Sequence, residues 1–435
     1  MFRLIYKFSD YIGDKLNILI LSPNYRSFGN SIEEIFFGLL HCHDKSKKLL
    51  LLKPFNTFFF KKINISNKYL YELEHDHLLK PNFITNFFLS LMMTLMASVG
   101  YLDSKARLLI ASIFGLNSNF FSNKELSHNS VQHFGRKLLW GFPEEKPYSK
   151  EKWESLENEF SPPKLPHSLI QKSNQFIKGN FPEVQGKDWV TLHVLDNTLT
   201  RYARGADINS YYPAVEYLIS KGFTVFRMGD SSMPKCFKLK GLIDLAHIKH
   251  ENFLDLYLVK NASFHIGVGS GPNYLTHLFK KDLLVTNLTE WSTSLPRKKG
   301  NFFILKNLYK KSTKEKIPIS KLFTKGFDYQ INTNFYEDRD LLLKDNTSDE
   351  ILSVLKDFME FIDSESSYSK LQTKFDKAKN AWLKHELIDN NADITYSSEK
   401  EKDLQRVRSI ALSTLNGTMG HSYLKENWEI ENNDI

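Results

Sequence analysis

Polar side chains able to bind or move a charged group gather between Val190 and Trp291, each just past a short apolar run. His193 ends the run that starts at Trp189, Arg227 ends one that Gly229 and Asp230 follow, and Gly267, Ser270 and Gly271 fill the turn after Phe264-His265-Ile266. Residues so spaced fall on the carboxyl edge of an open α/β sheet, where such folds bind ligands. An imidazole there suits general-base work toward a hydroxyl, since its unperturbed pKa is about 6.5. A hydrogen-bonded structural histidine fits equally well. Arg227 offers a planar, permanent cation for phosphate, and its alternative is a buried ion pair with Asp230 or Asp207. Ser270-Gly271-Pro272 supplies an N-cap, a close backbone approach and a residue tolerated at the first helical position, so the unpaired N–H groups of a helix start there would attract an anion. An ordinary capped strand-to-helix turn carries the same residues.

Other chemistries are tested by their spacing. Asp196, Arg201, Arg204 and Asp207 form a polar loop that reads either as part of the site or as a solvated turn with Asp207 capping a helix. The dinucleotide pattern G-x-G-x-x-G fails because position 272 is Pro and Asn287 stands where an acidic ribose ligand is expected. No G-x-x-x-x-G-K-[ST] occurs, so a phosphate loop of the kinase and ATPase kind is not expected. His41-Cys42-His43 and His75-Asp76-His77 sit inside predicted helices, where residues two apart diverge. Asp338-Arg339-Asp340 follows no apolar strand and reads as a solvated helix start. No metal is expected.

The elements that must carry these residues alternate. Leu16 to Leu21 reads as a buried parallel strand, with a helix after the capping residues Gly29-Asn30-Ser31 and a second strand at Lys48 to Leu52. Helices are predicted at 67–80, 83–100 and 104–115. From Asp188 strands at Trp189 to Val194, Gly222 to Met228, Phe264 to Val268 and Leu283 to Asn287 alternate with helices at Asp207 to Ser220, Phe253 to Lys260 and Tyr274 to Phe279. This predicts an α/β chain: a Rossmann-like domain over 1–150, a proline-rich linker over 151–187, a doubly wound domain over 188–345 and a helical extension over 346–435.

Composition sets the outer bounds. With 435 residues, 41% hydrophobic and 25% charged, the chain is long enough for two folded domains and too apolar for wholesale disorder. A formal charge of +8 is spread along the sequence without an arginine-rich block, which argues against nucleic acid as partner. Two cysteines, Cys42 and Cys236, leave no disulfide framework. Asp10, Asp14 and Lys15 interrupt any apolar core near the amino end, so no secretory signal is expected. Phe83 to Leu102 lacks charge, yet Thr85, Asn86, Ser90, Thr94 and Ser98 make one face polar, so the readings are a packed domain helix, an interfacial helix or a span.

In order and spacing, several pieces resemble a family of bacterial glycosyltransferases found with surface-polysaccharide genes, distantly similar to fucosyltransferase-like GT-B enzymes. They are His193-Val194, Arg204-x-x-Asp207-x-x-x-Tyr211, Gly222 through Arg227-Met228-Gly229-Asp230, Asp255-x-Tyr257-Leu258, Phe264-x-Ile266-Gly267-x-x-Ser270-Gly271 and Asn287. Weaker similarity reaches Arg26-x-x-Gly29 and the region around Lys306. The resemblance implies two Rossmann-like domains facing across a cleft, no cofactor beyond the nucleotide-sugar substrate, and a glycan or lipid-linked acceptor handled in the cytoplasm at the inner membrane face. It puts Arg204, Arg227, Gly229, Asp230, Gly267, Ser270, Gly271 and Asn287 at the donor, His193 and Asp207 in catalysis, and Arg26, Gly29 and Asn30 on the acceptor side. Two departures stand out: Leu195 where the family pattern has arginine, and Asn30 where it has histidine. They keep a second reading open, a catalytically inactive module that binds glycan or a partner enzyme. A nicotinamide oxidoreductase shares the alternation but not the fingerprint.

Overall fold

A computed structural model describes residues 11, 13–21, 23–25, 27–55, 57–58, 61–62, 65–91, 94, 113, 149–196, 203–289, 296–323, 336–364, 370–384 and 414–428. Contacts divide the chain into two compact units, one built from Met1–Pro147 with Glu154–Leu169 and the other from Tyr148–Trp153 with Ile170–Ile435.

In the first unit β1 (Ile18–Leu21) pairs in parallel with β2 (Lys48–Leu51), and α1 (Phe28–Asp44) joins them. Ile32, Ile35, Phe36, Leu39 and Leu40 form the buried stripe that makes α1 a packed helix. The helix starts before the expected Gly29-Asn30-Ser31 cap, at Phe28 with Ser27 in the cap position. Glu34 reaches back past that start and accepts the Asn24 N–H at 3.1 Å. The helix predicted over 67–80 shrinks to a 3-10 turn at Lys68–Glu72, because the next residues turn outward into bridges, Leu49 with Leu78 and Glu74 with Lys164. His75 and His77 are therefore not helical. Instead the His77 N–H donates to His75 Nδ1 at 3.0 Å and their rings stack at 5.6 Å.

Residues 83–91 are helical as predicted, but most of the apolar face is not the buried one. Ser90 and Thr94 are buried, while Phe83, Ile84, Phe87 and Phe88 are exposed. Thr94 fills its needs locally, accepting the Phe55 N–H at 2.6 Å and donating to the Ser90 carbonyl at 2.7 Å. Among the described residues no helix is long and apolar enough to cross a membrane. Apart from Thr94, the rest of the predicted 83–100 helix lies outside the described residues, as does nearly all of 104–115. The proline-rich stretch over 151–187 holds two helices, α2 (Lys150–Glu159) and α3 (His167–Asn180).

The second unit carries a seven-stranded sheet in which every pairing is parallel. In chain order its parts are β3 (Trp189–His193), α4 (Tyr212–Ser220), β4 (Thr224–Arg227), β5 (Leu242–Asp244), α5 (Phe253–Asn261), β6 (Phe264–Gly267), α6 (Asn273–Phe279), β7 (Asp282–Leu288) and β8 (Phe302–Leu305). An antiparallel pair follows, β9 (Asn307–Lys310) with β10 (Leu341–Lys344). Then come α7 (Ser348–Ser364), α8 (Lys370–Leu383), β11 (Thr418–Met419) and α9 (His421–Asn427). The strand order is β11-β8-β7-β6-β3-β4-β5. The chain thus builds outward from β3 to β5, returns to lay β6 against the other side of β3, and builds outward again to β8. That is the 3-2-1-4-5-6 order of doubly wound sheets, with β11 added from the chain's far end.

Side-chain alternation sorts the two faces. Val190, Leu192 and Val194 enter the core with Val215 and Leu218 of α4 and with Val354, Leu355 and Phe358 of α7. Trp189 turns the other way, its indole N–H donating to the Leu258 carbonyl of α5 at 3.0 Å. Right-handed crossovers require this split, because reversing the direction of travel moves the connecting helices to the opposite face. Residues beyond Asp345 close the sheet as well as extending the chain: β11 pairs with β8, and α9 packs on α7.

Candidate functional site

The order of a doubly wound sheet reverses at one place, and the loops part there to leave a crevice. Here the reversal lies between β3 and β6. His193 is the last residue of β3 and pairs in register with Gly267, the last of β6. His193 Nδ1 and Ser270 Oγ, 2.9 Å apart, share a hydrogen bond across the reversal. His193 is buried at 7% exposure. Burial, with the Arg227 charge adding to it, pushes its pKa down to about 4, so the ring is neutral at pH 7. A base that weak is poorly matched to removing a hydroxyl proton at neutral pH. Fixing the Ser270 hydroxyl at the mouth of the crevice is within its means.

A second buried histidine supports the same turn. His265 Nδ1 and Thr191 Oγ1 lie 2.8 Å apart, bonding the middle of β6 to the middle of β3. Burial, reinforced by His193, pushes the His265 pKa down to about 3. Asn273 then ties the turn together, donating from Nδ2 to the Val268 carbonyl at 2.6 Å. Its side-chain oxygen lies against the α-carbon of Gly267, where a Cβ would collide with it. Glycine is needed there for space.

Ser270 is not the helix cap its sequence predicts. Helix α6 begins at Asn273 with Pro272 in the cap position, and no side chain caps it. Residues 270–272 wind one tight turn ahead of the helix, in which the Ser270 carbonyl accepts the Asn273 N–H at 3.3 Å and the Gly271 carbonyl accepts the Tyr274 N–H at 3.1 Å. The Ser270 hydroxyl prefers His193 because the strand pairing delivers that imidazole within reach.

Arg227 lies below the crevice rather than in it. It is fully buried, and its Nη1 donates to Asp244 Oδ1 at 2.9 Å and to the Pro234 carbonyl at 2.9 Å. The ion-pair alternative thus has Asp244 as its partner, not Asp230 or Asp207, because Arg227 and Asp244 stand side by side in register on β4 and β5. Asp244 Oδ2 also accepts the Cys236 N–H at 3.0 Å, which folds residues 234–236 around the pair. Asp230 spends its carboxylate on Ser232, accepting from the N–H at 2.8 Å and from the hydroxyl, and these bonds hold its pKa below the usual range. Gly229 has φ +148, a backbone that favours glycine, and a Cβ there would strike the Met233 side chain.

Arg204 comes to the glycine turn that follows β6. It is half-buried, and its Cγ lies 3.8 Å from where a Cβ of Gly269 would stand, so its stem runs along the 267–271 turn. Asp207 is exposed and caps the 3-10 turn Ile208–Tyr211, accepting the Asn209 N–H at 2.9 Å. Asn287 is wholly buried with φ +54, and its Nδ2 donates to the Tyr211 hydroxyl at 3.0 Å. On the acceptor side Gly29 is buried in the first turn of α1, Asn30 is exposed, and Arg26 lies outside the described residues, as does Arg201. The fold therefore assembles His193, Gly267, Ser270, Gly271 and Arg204 at the reversal. It sets Arg227 beneath them, leaves the Asp207 carboxylate capping its own turn and engages Asn287 in structural bonds to Tyr211 and Asn346.

Sequence reasoning passed over Thr191, His265, Asn273 and Asp244. The available signal was a polar residue inside an otherwise apolar strand, as at Thr191 and His265. His43 and His77 also meet edge to face at 5.7 Å, and His43 Nε2 lies 3.3 Å from Glu159. Even so, no group of three or more His, Cys, Asp or Glu among the described residues is arranged to hold a metal ion. Asp340 of the Asp338-Arg339-Asp340 motif sits in a turn with φ +54, just before β10, where its carboxylate accepts the Ser312 hydroxyl.

No protein-family model matches the chain, and no curated protein is significantly similar to it. Among solved structures, E. coli ADP-heptose LPS heptosyltransferase II is similar at a TM-score of 0.31 and 10% identity, over 62% of this chain and 84% of that one.

Proposed function

We propose that the chain is a metal-independent glycosyltransferase of the GT-B kind, moving a sugar from a nucleotide-activated donor to a glycan or lipid-linked acceptor in surface-polysaccharide synthesis. The observation that supports it most directly is the pairing of Ser270 with His193 across the sheet reversal, with Arg204 on the same turn. A donor diphosphate needs hydrogen-bond donors and a cation at a place where the backbone comes close. The Ser270 hydroxyl, the small residues Gly269 and Gly271, and the Arg204 guanidinium meet that need. Arg227 contributes field from below, and His193 orients Ser270. The family resemblance in the sequence supplies the sugar.

The first unit would present the acceptor. Its exposed Phe83, Ile84, Phe87 and Phe88 would rest on the inner face of the cytoplasmic membrane, where a lipid-linked acceptor is found. A second reading, an inactive module that binds glycan, draws on Leu195, whose apolar side chain packs against the core where the family pattern has a charge.

A thermal-shift screen against nucleotide sugars separates the two readings, since a ligand at 100 times its Kd stabilises by about 2.7 kcal/mol. One donor should raise the Tm, and Arg204→Ala should weaken its binding by about tenfold or more, the effect of one charge-assisted hydrogen bond. If no nucleotide sugar shifts the Tm, the enzyme reading fails.

A further inference from the structure

The loop that carries Arg204 is gripped by a partly buried ion pair that the proposed chemistry does not use. Lys306 is the single residue between β8 and β9, and it is only 7% exposed. Its Nζ donates to the Gly205 carbonyl at 2.5 Å and to Asp345 Oδ1 at 2.6 Å. The other carboxylate oxygen, Asp345 Oδ2, accepts the Asp207 N–H at 3.2 Å. Between these two grips the Ala206 N–H donates to the Leu195 carbonyl at 2.8 Å. Three consecutive residues, beginning one step past Arg204, thus each have a backbone group held.

The anchor under the pair is itself fixed. Asn346, next to Asp345, exchanges two hydrogen bonds with Asn287: its N–H donates to Asn287 Oδ1 and its Oδ1 accepts the Asn287 N–H, both at 2.7 Å. Its Nδ2 also donates to the carbonyl of Leu305, the residue before Lys306, at 2.7 Å. Lys306 and Asp345 therefore both start from positions locked to the ends of β7 and β8. Burial lowers the pKa of the Lys306 ammonium, and the Asp345 charge opposes that change.

We infer that Lys306 and Asp345 are positioning residues, whose ion pair sets the 205–207 backbone and so places Arg204 beside the glycine turn for donor binding. An ion pair that buries its cation and leaves its carboxylate about a quarter exposed is a poor source of stability, because the desolvation it costs offsets much of the attraction. What it offers is direction: a cation that seeks a carbonyl and an anion that seeks an N–H, one for each side of the loop. The inference rests on the donor reading of the crevice.

The test uses the full chain and two variants, Lys306→Met and the near-isosteric Asp345→Asn, with folding checked by circular dichroism. Hydrogen exchange of the ligand-free protein reads the loop, and calorimetry with ADP, GDP, UDP and CDP reads the site. Both variants should speed exchange at Ala206 and Asp207 by about tenfold while core strands stay protected. They should also weaken the preferred diphosphate by about tenfold, and Arg204→Ala should cost little further affinity in the Lys306→Met background, as for coupled residues. Exchange and affinity both within about twofold of the wild type, or an undiminished Arg204→Ala effect in that background, would overturn the inference while leaving the donor reading intact. If the wild type binds none of the four diphosphates, the donor reading has failed and the donor-positioning role fails with it. The exchange comparison then decides whether the pair sets the loop at all.

Discussion

Arg227 and Asp244 make an unequal pair, and removing one is not the same as removing the other. The Arg227 side chain is 0% exposed and that of Asp244 is 23% exposed. Asp244→Ala strands a guanidinium in the interior with a single carbonyl, that of Pro234, still in reach. Breaking a buried pair in this way costs about 3–5 kcal/mol, and the partial exposure of Asp244 places the expected loss at the low end, about 3 kcal/mol. For a unit of this size that is a fall of roughly 6–12 °C in Tm. Arg227→Met should cost less, about 1–2 kcal/mol, because the carboxylate left behind can hydrate and keeps the Cys236 N–H. Urea unfolding of the two single variants and the double variant measures the difference. Equal losses, or a larger loss for Arg227→Met, would refute the argument that the unpaired buried cation dominates. The same proteins test its placement: nucleoside diphosphate affinity of Arg227→Met should stay within about threefold of the wild type, whereas a loss near that of a direct charge-assisted contact would put Arg227 in the crevice.

Acid should weaken the second unit through its buried imidazoles. Burial lowers the pKa of His193 to about 4 and of His265 to about 3, each with a neighbouring cation or imidazole adding to the effect. The unfolded chain takes up a proton at about pH 6.5 that the folded chain refuses, so stability is complete above that pH and falls as pH drops toward the folded values. By pH 5.5 each contributes a loss of about 1.4 kcal/mol, roughly 3 kcal/mol together, and chemical denaturation at pH 7.5 and 5.5 that showed no difference would contradict this. On the first unit, the exposed Phe83, Ile84, Phe87 and Phe88 should carry the chain into the pellet with anionic phospholipid vesicles. The double variant Phe83→Ser/Phe88→Ser should stay in the supernatant, and equal sedimentation of the two would remove this helix from membrane contact.

How far the site was legible depends on how local each signal is. Strands at Trp189 to His193, Phe264 to Gly267 and Asp282 to Leu288 lie within a residue or two of their predicted ends, because an apolar run bounded by turn residues reports its own burial. The β9–β10 pair was missed: it joins Asn307–Lys310 to Leu341–Lys344, and the half-exposed Leu341-Leu342-Leu343 lies among charged residues that read as helical. The 67–80 helix failed for a related reason. Its periodicity was real, but Leu78 and Glu74 found partners on Leu49 and Lys164, and pairing outweighed propensity.

An α/β chain whose chemistry-bearing residues stand at strand ends can be read from the amino-acid order, since a period of two and turn-forming residues are properties of neighbours along the chain. The same order also excluded the dinucleotide and phosphate-loop templates, which are short patterns. Which of those strand ends meet depends on how the sheet is assembled. His193 and Ser270 are 77 positions apart, Thr191 and His265 are 74, and Lys306 and Gly205 are 101, and nothing local encodes that β6 returns to the open side of β3. The same non-local pairing set Asp244 rather than Asp230 beside Arg227 and drew the Ser270 hydroxyl from its helix to an imidazole, because strand register brings together side chains that chain separation keeps apart.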